Sequence, residues 1–339
     1  MRKPLLTILP DSRCNFPLTI ITLHSLSTLI ATIALWLDVV DLEEVLIVMS
    51  PTHLQQHHTL LVMKGGMDPE KGFVGPFRAF DAAQATAYLT LYEEAFGPAS
   101  DVSNLTDKRF QSHLYLPFVV AIMSTEAILK QVRAVLGPDL LVWFTEWHVK
   151  RPASSSKYTP HQDSTYAGLV PAEDVVTVWV ALTEATRTNG CLEFVPMTEY
   201  HGEQLPHVEE PGDSTNLLLR GQRIASEHLD FTAKAVPVEL CPGEATIHAF
   251  RCVHASGPNR SDASPRVGLA IRYMKPSVRQ MQGGRREGAM LVSGQDDFGH
   301  FDLQPLPSEA WDRGGLALHA REMEAMRVNY MESRRKETG

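Results

Sequence analysis

The sequence predicts a mainly β fold with flanking helices, closed or sandwiched in the manner of a jelly roll. Three observations predict it. Apolar residues recur at helical spacing up to Gly137-Pro138, and the period then shortens to a strand-like one from about residue 140 to 275. Helices followed by a run of strands favour an antiparallel sheet folded on itself over alternating β and α units. With 339 residues, 44% apolar and 21% charged, the chain has core material for one large domain or two small ones.

The elements follow in order. Residues 1–71 form an N-terminal extension, in which Phe16 to Leu37 is strongly apolar and preceded by Arg2 and Lys3. A secretory leader, a membrane anchor and a misassigned start codon all stay open for it. Pro17, Thr19, Thr22, His24, Ser25, Ser27, Thr28 and Thr32 argue against a spanning helix, and Met63 and Met67 stand just before the first ordinary domain texture. Membrane contact through residues 16–37 therefore stays open as the less favoured reading. From Gly72 the texture is globular. Asp81 reads as an N-cap with Gln84 reaching back, opening a helix that stops at Gly97-Pro98. A second helix starts near Ser124-Thr125, places Ile128, Leu129, Val132 and Val135 on one face, and ends at Gly137-Pro138.

Strand candidates are Leu140 to Val149, Val175 to Leu182, Cys191 to Val195, Glu244 to Phe250 and Val267 to Met274, with Asn189-Gly190 as a turn between two of them. Met197 to Val238 is long, polar and irregular, the texture of a lid or binding loop. Leu316, Ala320, Met323, Met326 or Arg327, and Tyr330 lie at helical spacing, so residues 316–339 read as a C-terminal helix and tail. The working domain is expected over 72–325, with its β core at about 140–275.

The formal charge of −9 argues against nucleic acid as a partner, since phosphate affinity needs clustered Lys and Arg. Four cysteines, none spaced C-x-x-C, leave zinc-knuckle and thioredoxin-like motifs unsupported, and such sparse usage fits a cytoplasmic setting. Oligomeric state is not specified by the sequence.

The chemistry centres on His161-Gln162-Asp163. Residues two apart on an extended strand share a face, so His161 and Asp163 are expected to look into one interior. Two imidazoles and one carboxylate suit a ferrous ion with open positions opposite. His254, just after a strand, supplies the second imidazole. His248, of the same strand parity, is its rival, and a core histidine with a satisfied ring is the preferred reading of it. Arg266 opens the next strand and can hold a carboxylate through two parallel hydrogen bonds, with Arg272 as its rival.

The segment Tyr158 to Leu169 around His161-Gln162-Asp163 resembles the iron-binding segment of the phytanoyl-CoA dioxygenase family. So do Val178 to Thr183 followed by Asn189-Gly190-Cys191, the strand entry Pro242-Gly243-Glu244, the run His254-x-Ser256-x-Pro258-Asn259-x-Ser261, and the late stretch Leu291 to Gly294 and Gly299 to Phe301. The resemblance covers roughly 72 to 325. It implies a double-stranded β-helix (cupin-like), Fe(II), 2-oxoglutarate and O2. By position, His161, Asp163 and His254 would bind iron, with no catalytic group beyond these ligands. Arg266 would hold the distal carboxylate of 2-oxoglutarate, Ser256 would donate a hydrogen bond to it, and Trp179 would line its pocket.

The implied activity is hydroxylation of a small organic or lipid-like substrate, with succinate and CO2 as co-products. Related halogenases carry a small residue where Asp163 stands, so the carboxylate favours hydroxylation, or a desaturation or cyclisation from the same radical, over halogenation. Ser164 and Tyr166, with the 197–238 segment, are the candidate substrate contacts. That segment has only Arg220, Arg223 and Lys234, too few for a coenzyme A phosphate group. Two departures from the family pattern stand out. The spacing from His254 to Arg266 is one residue longer than the usual one, the extra residue falling in Ala263-Ser264-Pro265, and Pro196 to His201 replaces the usual Pro-Gly-Ser-His. The alternative function is a non-catalytic metal- or ligand-binding β-barrel of the same fold. A zinc hydrolase would leave Arg266 and Ser256 without a role.

Overall fold

The computed structural model describes residues 66–97, 106–210, 212–281 and 284–337. The chain divides into two compact units, Met1–Val62 and Met63–Gly339. The first lies outside the described residues, and with it the expectations for a leader, an anchor or membrane contact. Among the described residues, no helix is long and apolar enough to cross a membrane.

In chain order, strand β1 (Phe73–Arg78) leads into helices α1 (Ala82–Phe96), α2 (Pro117–Met123) and α3 (Glu126–Leu136). Strands β2 (Leu140–Lys150) and β3 (Tyr158–His161) follow, then the single turn α4 (Ser164–Ala167), β4 (Leu169–Val170), β5 (Val175–Ala181) and β6 (Leu192–Phe194). The middle segment carries β7 (His207–Glu209), β8 (Gln222–Ile224), α5 (Phe231–Lys234) and β9 (Val236–Val238). The chain closes with β10 (Glu244–Ala249), β11 (His254–Ser256), β12 (Arg266–Met274), β13 (Arg279–Gln280), β14 (Gly288–Ser293), β15 (Asp302–Leu303) and α6 (Arg313–Glu337).

A seven-stranded sheet runs β1-β10-β5-β12-β2-β14-β15, and a four-stranded sheet runs β3-β11-β6-β9. This is the mainly β, jelly-roll architecture expected. Its physical logic is legible in β5. Val176, Val178 and Val180 pack on one face with α1, α2 and α3, whereas Trp179 and Ala181 pack on the other with Leu192 and Phe194 of the small sheet. A strand covered on both sides reads as a continuous apolar run, which is why VVTVWVA lacks alternation.

The helices follow their end signals. Asp81 caps α1 by accepting a hydrogen bond from the Gln84 backbone N–H at 2.8 Å. The Gln84 side chain does not reach back as expected; it turns outward to the Tyr88 hydroxyl at 3.4 Å. In α3, Ile128, Leu129, Val132 and Leu136 are buried. Leu136 therefore takes the buried place expected for Val135, which is only partly covered. In α6 the buried face is His319, Glu322, Met323, Ala325, Met326 and Asn329, and Ala320 points outward because the face is rotated by one residue. The side chain of Tyr330 lies outside the described residues.

The turn at Asn189-Gly190 lies between β5 and β6, and since these belong to different sheets it crosses from one to the other. Asn189 holds that crossover by accepting from the Thr186 N–H at 2.7 Å and donating to the Glu184 carbonyl at 2.9 Å. The 197–238 segment is not irregular throughout, since β7 pairs with β8 and β9 joins the small sheet beside β6. His254 comes just after β10 and itself opens the short strand β11, directly opposite His161 of β3.

Candidate active site

The site lies between the two sheets, at the end of β3. His161 is the last residue of that strand. Asp163 is not on the strand with it: its backbone is helical (φ −59°, ψ −32°) and it starts the turn α4. The side chains meet because the chain turns between them, with the Ser164 N–H bonded to the Phe250 carbonyl at 3.0 Å. His161 Nε2 lies 3.6 Å and His254 Nε2 4.0 Å from Asp163 Oδ1. One donor atom from each of His161, Asp163 and His254 falls within 4.8 Å of the others, and all three residues are buried.

The tautomers suit a metal. A backbone carbonyl only accepts, so His161 Nδ1–H donates to the Thr159 carbonyl at 2.7 Å and His254 Nδ1–H to the Cys252 carbonyl at 3.0 Å. In the neutral rings each Nε2 then carries a bare lone pair facing Asp163, the arrangement found behind metal-bound histidines. Burial, then His161 and His248, hold the His254 pKa well below the ordinary histidine range, so this ring is neutral at pH 7. Burial opposes charge on Asp163, but Arg272 and the rings of His161 and His248 outweigh it, and its pKa sits well below the carboxylate range.

The middle residue of the triplet has a separate task. Gln162 is fully buried and donates to the carbonyls of Glu203 and Arg251, each at 2.8 Å, while accepting from the Leu205 N–H at 2.8 Å and Gln204 Nε2 at 2.9 Å. It thus ties residues 203–205 to the turn that carries the metal-binding groups. Ser164 belongs to the same bracket: its hydroxyl donates to Gln204 Oε1, and Ser164 lines neither cavity next to the metal-binding groups. The Ser164 hydroxyl is thus committed to Gln204 and not to either of these two cavities. The side chain of Tyr166 lies outside the described residues.

Arg266 opens β12, as expected, and is completely buried. Its Nη1 donates to the Gly190 carbonyl at 2.5 Å and to Ser256 Oγ at 2.7 Å, and its guanidinium carbon lies 5.2 Å over the Trp179 ring. Ser256 is not available in the manner expected. Its own hydroxyl proton goes to the Gly190 carbonyl at 2.7 Å, so Ser256 positions Arg266 rather than donating to a ligand. The extra residue between His254 and Arg266 is absorbed in a turn where Ser261 Oγ accepts from the Ser264 N–H at 3.0 Å and Asn259 Nδ2 donates to the Ser264 carbonyl at 2.9 Å. Arg272 stands elsewhere, with Nη2 3.4 Å from Asp163 Oδ1 and Nη1 3.7 Å from Glu146 Oε2.

Several site residues were not anticipated. Glu146, His148 and Lys150 of β2 all reach the interior. Lys150 Nζ donates to Ser256 Oγ at 2.6 Å and to the Ser256 carbonyl at 3.0 Å, beside Arg266. Burial, then the Arg266 charge, lower its pKa well below that of a free lysine. Burial also pulls His148 down to about 4, so it is neutral at pH 7. Glu146 faces His148 at 3.3 Å and Arg109 at 3.9 Å; burial opposes its charge, but His148, Arg109 and Arg272 hold its pKa low. Tyr158 OH, Trp179 Nε1 and Arg266 Nε are buried without a hydrogen-bond partner among the described residues. A cluster of unmet donors around a cationic pocket is what a buried carboxylate ligand satisfies.

The cavity lined by His148, Tyr158, Trp179 and the three metal-binding candidates shares Glu146, Leu218 and Arg272 with a neighbouring one. That second cavity has walls of Phe110, Phe144, Leu217 and Met326, and Leu217 to Gln222 of the 197–238 segment form one side of it.

Comparison with known proteins agrees with this geometry. Residues 69–268 match the family described as phytanoyl-CoA dioxygenase (PhyH). "Phytanoyl-CoA dioxygenase domain-containing protein 1" of Danio rerio is 34% identical over 119 residues, which cover 35% of this chain and 40% of that protein. The chain spans about half or less of the length of the first curated relatives it matches. The non-heme monooxygenase ThoJ is 30% identical and superposes with a TM-score of 0.67 over 79% of this chain and 97% of its own, and its nickel complex superposes at 0.62. CytC3, solved with Fe(II) and alpha-ketoglutarate, shares the fold at 23% identity, a TM-score of 0.52, and coverage of 72% of this chain and 92% of its own.

Proposed function

The chain belongs to the phytanoyl-CoA dioxygenase family, and on that premise we propose that it is an Fe(II)- and 2-oxoglutarate-dependent dioxygenase. It hydroxylates a small organic or lipid-like substrate and releases succinate and CO2. The observation that carries this reading is the pairing of two elements in one interior. His161, Asp163 and His254 present two bare imidazole nitrogens and a carboxylate oxygen to one point. Beside them lies a cationic pocket of unmet donors.

His161, Asp163 and His254 would hold the iron, which together with 2-oxoglutarate and O2 would supply the oxidising power for C–H hydroxylation. The protein's own contribution is placement. Arg266, held by Gly190 and Ser256 over the Trp179 ring, is the anchor for the distal carboxylate of the co-substrate. Arg272 is too close to Asp163 to serve there, and acts instead on the metal-binding side. Tyr158 and Trp179 offer their unmet O–H and N–H to the co-substrate, and Lys150 keeps Ser256 in place. Substrate occupies the second cavity, its apolar body against Phe110, Phe144, Leu217 and Met326 and a polar group toward Glu146 and Arg272. Gln162 fixes the 203–205 loop so that water is excluded when the chamber is filled.

The test is succinate release from 2-oxoglutarate by the iron-loaded full-length chain, with a panel of small apolar carboxylates, amines and alcohols. Turnover, coupled or uncoupled, is expected. Its complete absence in folded, iron-loaded protein would overturn the oxygenase reading in favour of a non-catalytic binding protein.

A further inference from the structure

The proposed reaction as set out gives no task to His248, which lines the same cavity as the metal-binding candidates. It lies on β10 with 1% of its surface exposed, wedged between the rings of Phe194 (centroids 5.1 Å apart) and His254 (4.4 Å). It was expected to be a core histidine with a satisfied ring. Neither of its ring nitrogens has a hydrogen-bond partner among the described residues. A buried polar group left unmet is costly, and in a native fold it calls for a reason.

The sheet register supplies one. Arg272 of β12 is paired with Thr177 of β5, and Thr177 with His248 of β10. The three side chains therefore form a cross-strand row on the inner face, and the Asp163 carboxylate sits over it. Thr177 Oγ1 donates to Asp163 Oδ2 at 2.7 Å, and His248 Nε2 faces the same oxygen at 3.8 Å. Oδ1, by contrast, is the oxygen nearest His161 and His254. Thr177 and His248 thus address Oδ2, while Oδ1 is turned to the metal-binding rings and is reached from the row only by Arg272 Nη2 at 3.4 Å.

We infer that His248 is a positioning residue for the metal-binding carboxylate. With its Nε2–H directed at Asp163 Oδ2 beside Thr177, it leaves Oδ1 alone to bind the metal. Closing 3.8 Å to hydrogen-bond range takes a movement of about 1 Å. One-oxygen binding matters because a carboxylate held by both oxygens would consume a position that co-substrate or O2 requires. His248 is not itself a ligand: the donors within 4.8 Å of one another belong to His161, Asp163 and His254. The inference rests on the oxygenase reading only in needing a metal at these three residues.

The experiment uses the full-length chain and Co(II), whose visible bands report coordination number, so no turnover is needed. Against wild type, His248→Phe is expected to weaken Co(II) binding about 10- to 100-fold and to alter the band intensities. Thr177→Val is expected to act in the same direction. His248→Gln, which retains an N–H donor, is expected to bind Co(II) within about threefold of wild type, with far-UV circular dichroism unchanged. X-ray absorption of the wild-type Co(II) protein should count two histidines, a measurement independent of whether any variant folds. Three histidines would overturn the inference by making His248 a ligand. Unchanged affinity and spectrum in His248→Phe would overturn it while leaving the oxygenase reading intact. A wild-type chain that binds no metal would overturn both.

Discussion

Replacing Arg266 by lysine separates the anchor from its rival. Arg266 is fully buried, and burial pulls its pKa down to about 10, which still leaves it charged at pH 7. Its Nη1 is committed to the Gly190 carbonyl and Ser256 Oγ, and its Nε is unmet among the described residues. Lysine preserves the charge but not the planar fork, so it cannot hold both Ser256 and a carboxylate in the same geometry. The loss is one charge-assisted hydrogen bond, about 1.5–3 kcal/mol. That corresponds to a rise of about 10- to 150-fold in the dissociation constant for 2-oxoglutarate. Calorimetry with the Mn(II)-loaded, full-length chain measures it directly, without turnover. Metal affinity should stay unchanged, because Arg266 touches none of the three metal-binding residues. The control is Arg272→Lys, expected to disturb the metal through Asp163 and to leave 2-oxoglutarate affinity near wild type. If Arg266→Lys binds 2-oxoglutarate normally, or Arg272→Lys carries the loss, the assignment of the anchor is wrong.

Removing a metal-binding imidazole should abolish stoichiometric Fe(II) binding: His161→Ala and His254→Ala are expected to retain less than a tenth of the wild-type iron by anaerobic colorimetric assay, and normal iron content in either would exclude that residue from the ligand set. A Cβ at Gly268 would meet the Trp179 ring, so Gly268→Val should cost about 1–3 kcal/mol in urea unfolding and weaken 2-oxoglutarate binding by pushing Trp179 off Arg266; an unchanged dissociation constant would show that Trp179 does not shape that pocket. Acid sensitivity has a source away from the site, in His113, which is buried between Thr145 Oγ1 at 2.9 Å and Gln304 Oε1 at 3.2 Å. Burial lowers its pKa from 6.5 to about 4. Between those values the unfolded chain binds a proton that the folded chain does not, so this contribution is complete above about 6.5 and falls as the pH drops toward 4, by up to about 1.4 kcal/mol per pH unit. Urea unfolding of His113→Gln should show a shallower loss over that interval than wild type, and identical slopes would remove His113 as the cause.

The three metal-binding candidates, and Arg266 as the proposed anchor, could be singled out in the sequence because residue type and order suffice for that. His161, Asp163 and His254 are drawn together in the fold, although strand parity was the wrong geometric reason. Asp163 reaches His161 through a helical turn after β3, and His254 reaches it by lying opposite His161 across a strand pair. Side-chain hydrogen-bond direction was not legible. Ser256 looked like a donor to the co-substrate, yet its proton is used on Gly190, a residue brought near only by the crossover between sheets. Ser164 looked like a substrate contact from its place beside the triplet, yet Gln204, forty residues on, claims its hydroxyl.

The largest gap concerns β2, and it has one local cause. Leu140 and Val142 face the helices, with Leu141 and Trp143 on the opposite side. Strict alternation from there would put Glu146, His148 and Lys150 against the helices as well, where three polar side chains would have no partners. The pairing with β12 shifts between Arg272 and Tyr273, opposite Phe144 and Val142, and skips a residue. That irregularity reverses the faces beyond it: Trp147 and Val149 now join the helix-covered core, while Glu146, His148 and Lys150 turn inward toward Arg272 and Arg266. A bulge of one residue thus converts an apolar strand into the charged wall of the active site. The pattern EWHVK already carried a sign of it, since Trp147 and Val149 alternate with three ionisable residues, a period-2 pattern of opposite phase to Leu140 and Val142. Two phases within one strand require a bulge between them, and the side that receives the polar phase is the side where chemistry can use it.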